Sequence, residues 1–251
     1  NESGIVSVLK DNKPADVQLK YKNKQLFLYS KISGEFMVKN LDGRSTKVNI
    51  PFVPKPFELN STWNVSFPID GYKTKDVKFS TLIPWNKHKD PEIKYFSGIA
   101  TYSYNLHITD NLLSNEYINI LNLGDVKVIA EVYVNGINQG IGWKAPFQVN
   151  ITNSLKLGDN KIEIRVANLW VNRLIGDEQY EDDCEWTNET QSTVNVLALK
   201  ELPEWLTGNT PRLTPRSTFV AVKWPHLKNK ELLPSGLIGP VKLITMAKKK
   251  V

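Results

Sequence analysis

The sequence predicts an all-β protein, a sandwich or barrel of short antiparallel strands, and three observations carry that expectation. TYSYNLHI (101–108) alternates strictly, placing Tyr102, Tyr104, Leu106 and Ile108 on one face and Thr101, Ser103, Asn105 and His107 on the other. KIEIRV (161–166) repeats the pattern, with Ile162, Ile164 and Val166 opposite Lys161, Glu163 and Arg165. Asn135-Gly136 follows the apolar VIAEVYV, and Asn-Gly tolerates the two left-handed residues that a type I′ hairpin turn demands. A period of two, recurring between turn residues, builds sheets rather than a strand–helix–strand array.

Taken in order, residues 1–50 offer VQLKY, QLFLYS, GEFMVKN and STKVNI, with tight turns at Asn23-Lys24 and Asp42-Gly43. PFVPKPFELN (51–60) then carries Pro51, Pro54 and Pro56, which favour an extended linker. A small β-rich domain over 1–54 is therefore expected before a larger unit over 55–251, opened by the strand STWNVSF. A further turn is expected at Gly158-Asp159-Asn160. Helical stretches are expected only around 110–115 (DNLLSN) and 198–206 (ALKELPEWL). No internal repeat is found.

The bulk properties narrow the class. A chain of 251 residues can bury a substantial core, and no apolar run approaches the roughly 20 residues of a membrane helix. The chain opens at Asn1 with neither an initiator Met nor a signal peptide, so a piece of a longer or processed chain is expected. Net charge is +6, but apart from Lys248–Lys250 the lysines are scattered, unlike the basic stripe of a nucleic-acid binder. No nucleic acid is expected as a partner. A single Cys184 excludes an internal disulfide and any cysteine-built zinc site. Glycosylation sequons begin at Asn60, Asn64, Asn150 and Asn188, which an Asn-rich chain also generates by chance.

The stretch NLWVNRLIGDEQYEDDCEW (168–186) concentrates the chemistry. Glycoside hydrolysis needs two carboxyls across one bond, and Glu178, Glu181, Asp182, Asp183 and Glu185 supply carboxyls in number. A working pair normally comes from separate strand ends, so a solvated acidic loop is the plainer expectation. A calcium loop would space oxygens around a Gly turn, yet GDEQYEDD lacks the alternating pattern. No cofactor is expected, with a structural calcium left open. His88, His107 and His226 show no paired ligand spacing, and neither a phosphate loop nor a G-x-S-x-G elbow is present. Of the seven tryptophans, Trp63 and Trp170 lie in strand-like alternation and are expected in the core, while Trp143 and Trp186 are expected at the surface.

YFSGIATYSYNLHI, LNLGDVKVIAEVYVNGINQGIGWKAPFQVNIT and LKLGDNKIEIRVANLW together resemble the sugar-binding, galactose-binding-like jelly roll of glycoside hydrolase family 2. NLWVNRLIGDEQYEDDCEW, PWNKHKDPEIKYFSG and LLPSGLIGPVKL resemble the C-terminal region of bacterial family 106 α-L-rhamnosidases, over roughly residues 55–246. The resemblance implies an antiparallel jelly-roll sandwich whose catalytic carboxylates sit elsewhere, on a separate barrel domain. It implies no catalytic residue here. Asn168, Asn172, Arg173, Asp177, Glu178 and Trp186 match the motif and become carbohydrate or interdomain contacts, joined by Asn135, Trp143 and Asp183. Arg173 is expected to clamp Asp177 or Asp183, and Cys184 to pack inward. Carbohydrate and the catalytic barrel are the implied partners, and the periplasm or cell exterior the implied location. A self-standing carbohydrate-binding module, with Trp143 and Trp186 as its platform, is the alternative, followed by an adhesion domain without a sugar ligand.

Overall fold

A computed structural model describes residues 4–69, 73–187, 196–208 and 210–251, with Asp110 described by its backbone alone. The sequon at Asn188 lies outside the described residues. The protein is an all-β antiparallel sandwich, and the alternating stretches form its centre.

The first fifty residues form β1 (Ile5–Lys10), β2 (Lys13–Pro14), β3 (Val17–Lys22), β4 (Gln25–Ser30), β5 (Gly34–Asn40) and β6 (Ser45–Ile50). Asn23 and Lys24 both take positive φ, 49° and 60°, which closes the β3–β4 hairpin in the expected two-residue turn. After the proline-rich stretch come β7 (Phe57–Glu58), β8 (Trp63–Pro68) and β9 (Thr74–Phe79), then the one-turn helix α1 (Pro91–Lys94). The central strands are β10 (Ile99–Ile108), β11 (Tyr117–Asn122), β12 (Asp125–Lys127), β13 (Ile129–Val134), β14 (Ile137–Gly142), β15 (Gln148–Asn150) and β16 (Gly158–Ala167). The chain continues through α2 (Val171–Asp177), β17 (Leu197–Ala198), α3 (Glu204–Thr207), β18 (Val222–Lys223), β19 (Gly236–Gly239) and β20 (Lys242–Lys250).

One sheet runs β14-β13-β16-β10-β8-β9 and faces a second, β15-β11-β20-β4-β3, with β7 also paired to β20. β10 and β16 pair over their whole length, Ile99 opposite Ala167 through Ile108 opposite Gly158. Their inward residues meet the second sheet through Leu121, Val149 and Leu243, filling one continuous core. Tyr102 lies at its centre, and its hydroxyl accepts hydrogen bonds from Trp85 Nε1 (2.6 Å) and Leu237 N (3.1 Å). Both bonds are accepted by the phenol oxygen, which offsets part of the cost of burying it.

A third sheet, β2-β1-β5-β6, covers a smaller core of Ile5, Leu28, Phe36, Val38, Val48, Ile50 and Val53. β20 ties the first fifty residues to the central strands, pairing with β11 over Lys242–Ala247 and with β4 over Ala247–Lys250. The proline stretch is extended but tied down, with Val53 and Leu59 buried and Leu59 N donating to Val241 O at 2.9 Å.

Three local expectations are corrected. Gly158-Asp159-Asn160 starts β16 instead of forming the turn, and buried Asn160 holds the preceding loop by donating to Lys156 O and Gly158 O. The stretch 198–206 is helical only in α3, because Pro203 bars a continuous helix and Leu197–Ala198 pairs with β18 instead. The stretch 110–115 is reduced to a 3₁₀ turn, Asp110–Leu112. The helix α2 was not expected at all.

Candidate functional site

The polar stretch after β16 is built as a clasp. Asn168 bridges to the loop before β10, donating to Phe96 O (2.8 Å) and accepting from Gly98 N (3.0 Å). α2 follows, with Leu174 and Ile175 turned into the protein. Asn172 is 1% exposed, donating to Leu233 O (2.7 Å) and accepting from Leu233 N (2.9 Å), so it pins the 233–235 segment and offers no surface to a ligand. Asn135 is engaged in the same way, donating to Ser154 O and Asn160 Oδ1 and accepting from Lys161 N. All three amides bond groups of the fold, Asn172 buried and Asn135 and Asn168 half-buried.

Four of the acids are equally engaged, while Glu181 and Glu185 are exposed, Glu185 facing only Lys200 at 3.4 Å. Asp177 accepts from Arg173 (2.8 Å), from the backbone N–H groups of Ser217 and Thr218, and from the Thr218 hydroxyl. Glu178 faces Arg216 at 3.1 Å, and Asp182 faces Arg216 at 2.9 Å and Lys223. Asp183 accepts from Arg212 Nε and the Thr214 hydroxyl, each at 2.5 Å. Burial alone would raise the Asp183 pKa, but the bonds from Arg212 and Thr214 outweigh it and hold the carboxyl below its usual range. Arg173 thus clamps Asp177, and Asp183 belongs to Arg212. Carboxylates and cations alternate, so the stretch grips the 212–223 segment electrostatically. A calcium ion in this loop would have to displace guanidinium groups from the oxygens it needs.

Beside the clasp lies an open cleft of about 790 Å³, walled by Tyr95, Trp170, Arg173, Tyr180, Arg216 and Thr218, with Glu92 at one edge. Gly176 lets the cleft form: a Cβ there would stand 2.6 Å from Tyr95 Cβ, so only glycine allows α2 to approach that ring. Arg173 lies 5.9 Å from the Tyr95 ring centroid. Lys75 bonds both Asp90 and Glu92, and these hydrogen bonds hold the two carboxyls below the usual range. Trp170 is 60% exposed, against the expected core position, because it precedes the first turn of α2 rather than continuing the alternation of β16. Trp63, at 1%, is core as expected.

Trp143 is exposed, with the Lys144 ammonium 4.9 Å from its ring centroid. Trp186 is half-buried behind the clasp, where it bridges Leu199. Cys184 is half-buried, and burial followed by the neighbouring Asp183 pushes its thiol up to about 11. His88 Nδ1 accepts from Asp90 N, and His107 lies on the exposed face of β10 at 2.7 Å from Asp159.

No family model matches the chain. Over 217 residues it is 42% identical to a protein of Formosa agariphila named "Putative beta-glucuronidase", an alignment covering 86% of this chain and 18% of that protein. The chain thus spans less than a fifth of that relative. The solved rhamnosidase of Novosphingobium sp. PP1Y superposes over 95% of this chain and 25% of its own, with a TM-score of 0.53 and 24% identity, a likeness of fold. The β-D-glucuronidase of Dictyoglomus thermophilum covers 77% of this chain and 28% of its own, at a TM-score of 0.48 and 18% identity. All three are named for glycosidase activities.

The structure adds residues that the sequence reading missed. Arg212, Thr214, Arg216, Thr218 and Lys223 hold the acids, yet they lie some thirty to forty positions away in sequence. The run PRLTPRST was a visible signal, since two arginines and three hydroxyls in eight residues complement an acidic loop. Tyr95 and Tyr180 carried no signal, because a lone tyrosine in a loop has no periodicity to place it.

Proposed function

We propose that this chain is a non-catalytic β-sandwich module of a larger glycoside hydrolase, with the cleft beside α2 facing the catalytic part of that enzyme. The observation that carries the reading is the engagement of Asp177, Glu178, Asp182 and Asp183 by cations and N–H or O–H donors inside the module. A general acid must be free to deliver a proton to a glycosidic oxygen, and its partner must face the same bond from a few ångströms away. Carboxylates each held by one guanidinium group and further donors of the module do neither. The Formosa protein and the Novosphingobium rhamnosidase, each several times longer than its match to this chain, support a module with its chemistry elsewhere.

The finer assignment, to the C-terminal sandwich of a family 106 α-L-rhamnosidase exported from a bacterial cytoplasm, rests on the motifs in 168–186 and 232–243. Fold likeness to the Novosphingobium rhamnosidase favours it. The Formosa relative, through its name, favours a β-glucuronidase as the parent. The module has the same task in either: presenting Trp170, Tyr95 and Tyr180 as a stiff aromatic wall to the adjoining domain or to distal sugar units.

The test is direct. The chain is incubated at high concentration with p-nitrophenyl α-L-rhamnopyranoside and p-nitrophenyl β-D-glucuronide, and release of nitrophenol is followed. The expected result is no release above buffer. Turnover of either substrate that disappears in Glu178→Gln or Asp183→Asn would overturn the reading.

A further inference from the structure

We infer that a second cleft, sharing no lining residue with the one beside α2, binds an anionic oligosaccharide, one carrying carboxylate or sulfate groups. It lies where β3 and β4 join the larger unit along β20, has a volume of about 470 Å³, and falls within the roughly 300–1,000 Å³ usual for ligand sites. Its charged lining consists of Lys20, Lys22 and Lys248, with no Asp or Glu among the lining residues.

The lysines are placed by strand register. Lys20 lies opposite Phe27 and Lys248 opposite Tyr29, so the two cations flank the same pair of aromatic residues on β4 from either side. The Lys20 ammonium stands 5.3 Å from the Tyr29 ring centroid and the Lys248 ammonium 4.9 Å from that of Phe27. Ring faces hold the cations without neutralising them. Among the described residues no carboxylate comes within 4.0 Å of Lys20, Lys22 or Lys248, and Glu116, the acid next to the lining, is taken by Lys249. Elsewhere on the surface lysines do find acids, as Lys47 finds Glu35 and Lys73 finds Glu92. Uncompensated cations gathered in one concavity focus a positive field there.

The rest of the lining matches hydroxyl groups. Ser114, Asn115, Asn150, Thr152 and Asn153 cluster along one wall. Among the described residues the side chains of Asn115 and Asn153 make no hydrogen bond, whereas Asn119 at the floor is fully engaged with Leu112 O and the Thr245 hydroxyl. Free amides donate to and accept from the same sugar hydroxyl, which a cationic surface alone does not. A nucleic-acid strand would more often be met by several exposed aromatic rings for base stacking, and of the two lining tyrosines Tyr29 is only 6% exposed and Tyr117 half-buried.

Calorimetric titration tests the inference on the intact chain. The probes are a hexameric oligogalacturonate for carboxylates, a chondroitin sulfate hexasaccharide for sulfates, neutral maltohexaose, and a single-stranded twelve-nucleotide DNA. A triple variant, Lys20→Gln, Lys22→Gln and Lys248→Gln, is compared with a charge-matched control, Lys55→Gln, Lys78→Gln and Lys228→Gln, after both are shown to keep the parent melting temperature. Binding of at least one anionic hexasaccharide is expected, at least tenfold weaker in the cleft variant and within twofold in the control. The hexasaccharide that binds identifies the anion. No binding of either, equal losses in both variants, equal affinity for maltohexaose, or tighter binding of the DNA through the same lysines overturns the inference.

Discussion

Arg173 Nη2 stands 2.8 Å from Asp177 Oδ1 across one turn of α2, and Asp177 also receives the backbone N–H groups of Ser217 and Thr218. One carboxylate therefore joins its own helix to a segment forty residues later. The Asp177 side chain is only 4% exposed, so removing it leaves N–H donors and a guanidinium without an acceptor. Asp177→Ala should cost about 3–5 kcal/mol of unfolding free energy, the range for breaking a buried ion pair. Asp177→Asn, which keeps an acceptor oxygen, should cost less. Urea denaturation followed by tryptophan fluorescence measures both, and a loss under about 1 kcal/mol for the alanine variant would refute the clasp.

Acid should loosen the same clasp. Asp183, Asp90 and Glu92 all have folded pKa values below their ordinary ones. A carboxyl of this kind takes up its proton more readily in the unfolded chain. It stabilises the fold fully above the unfolded pKa, near pH 4, and that contribution disappears as pH falls through the folded value. Asp183, with a side chain 9% exposed, should dominate over the more solvated Asp90 and Glu92. The urea midpoint should be flat from pH 7 to 5 and fall steeply below 4. Asp183→Asn should make that fall shallower, and an unchanged slope would show that Asp183 is not its source.

How much of this was legible in the sequence follows from where each signal is written. β10 and β16 were readable residue by residue, because alternation encodes burial: Ile162, Ile164 and Val166 are fully buried. The Asn135-Gly136 turn was readable because φ is positive at both positions, 52° and 81°, a local demand that few residue pairs meet. α2 was not, since seven residues give less than two turns of periodicity and its boundaries carry no side-chain cap. The partners of the acids were not either, because an ion pair between Asp183 and Arg212 leaves no mark on local spacing. The backbone partners of Asn168, Asn172 and Asn135 were not readable, because an amide reads the same in sequence whether it grips backbone or ligand.

Trp63 and Trp170 separate the two roles that a tryptophan can take here. Trp63 is 1% exposed, packs 4.7 Å from the Tyr104 ring centroid, and donates Nε1 to Leu59 O at 3.3 Å. Trp63→Ala should cost about 3–5 kcal/mol. Trp170→Ala, at a 60% exposed position, should change stability by under about 0.5 kcal/mol. Thermal denaturation of both variants checks the contrast. A large loss for Trp170→Ala would mean that this ring props the fold instead of lining an open wall.

Cys184 should be slow to react. With its thiol pushed up to about 11, its thiolate fraction at pH 8 is roughly two-hundredfold below that of a free cysteine of pKa about 8.5. Labelling with dithionitrobenzoate should be correspondingly slow and should accelerate as pH rises from 8 towards 10. Asp183 contributes to the shift, so Asp183→Asn should speed labelling at pH 8. Rapid reaction of the parent chain at pH 7 would contradict the environment described for this thiol.

Gly176 gives the sharpest test of the aromatic cleft. A Cβ added there would stand 2.6 Å from both Cβ and Cγ of Tyr95 and 2.7 Å from Arg173 Nη2. The Tyr95 contacts are near the backbone, so side-chain rotation alone does not relieve them; α2 or the 95–97 loop has to move. Gly176→Ala gains helix propensity of about 1 kcal/mol, yet overpacking should outweigh it and leave a net loss of about 1–2 kcal/mol. The Arg173–Asp177 pair would be displaced with it, so Gly176→Ala and Asp177→Ala should be less damaging together than the sum of their separate effects. A double-mutant cycle by urea denaturation reads that coupling. Strict additivity, or a more stable Gly176→Ala, would mean that Tyr95 does not rest on α2 as the geometry requires.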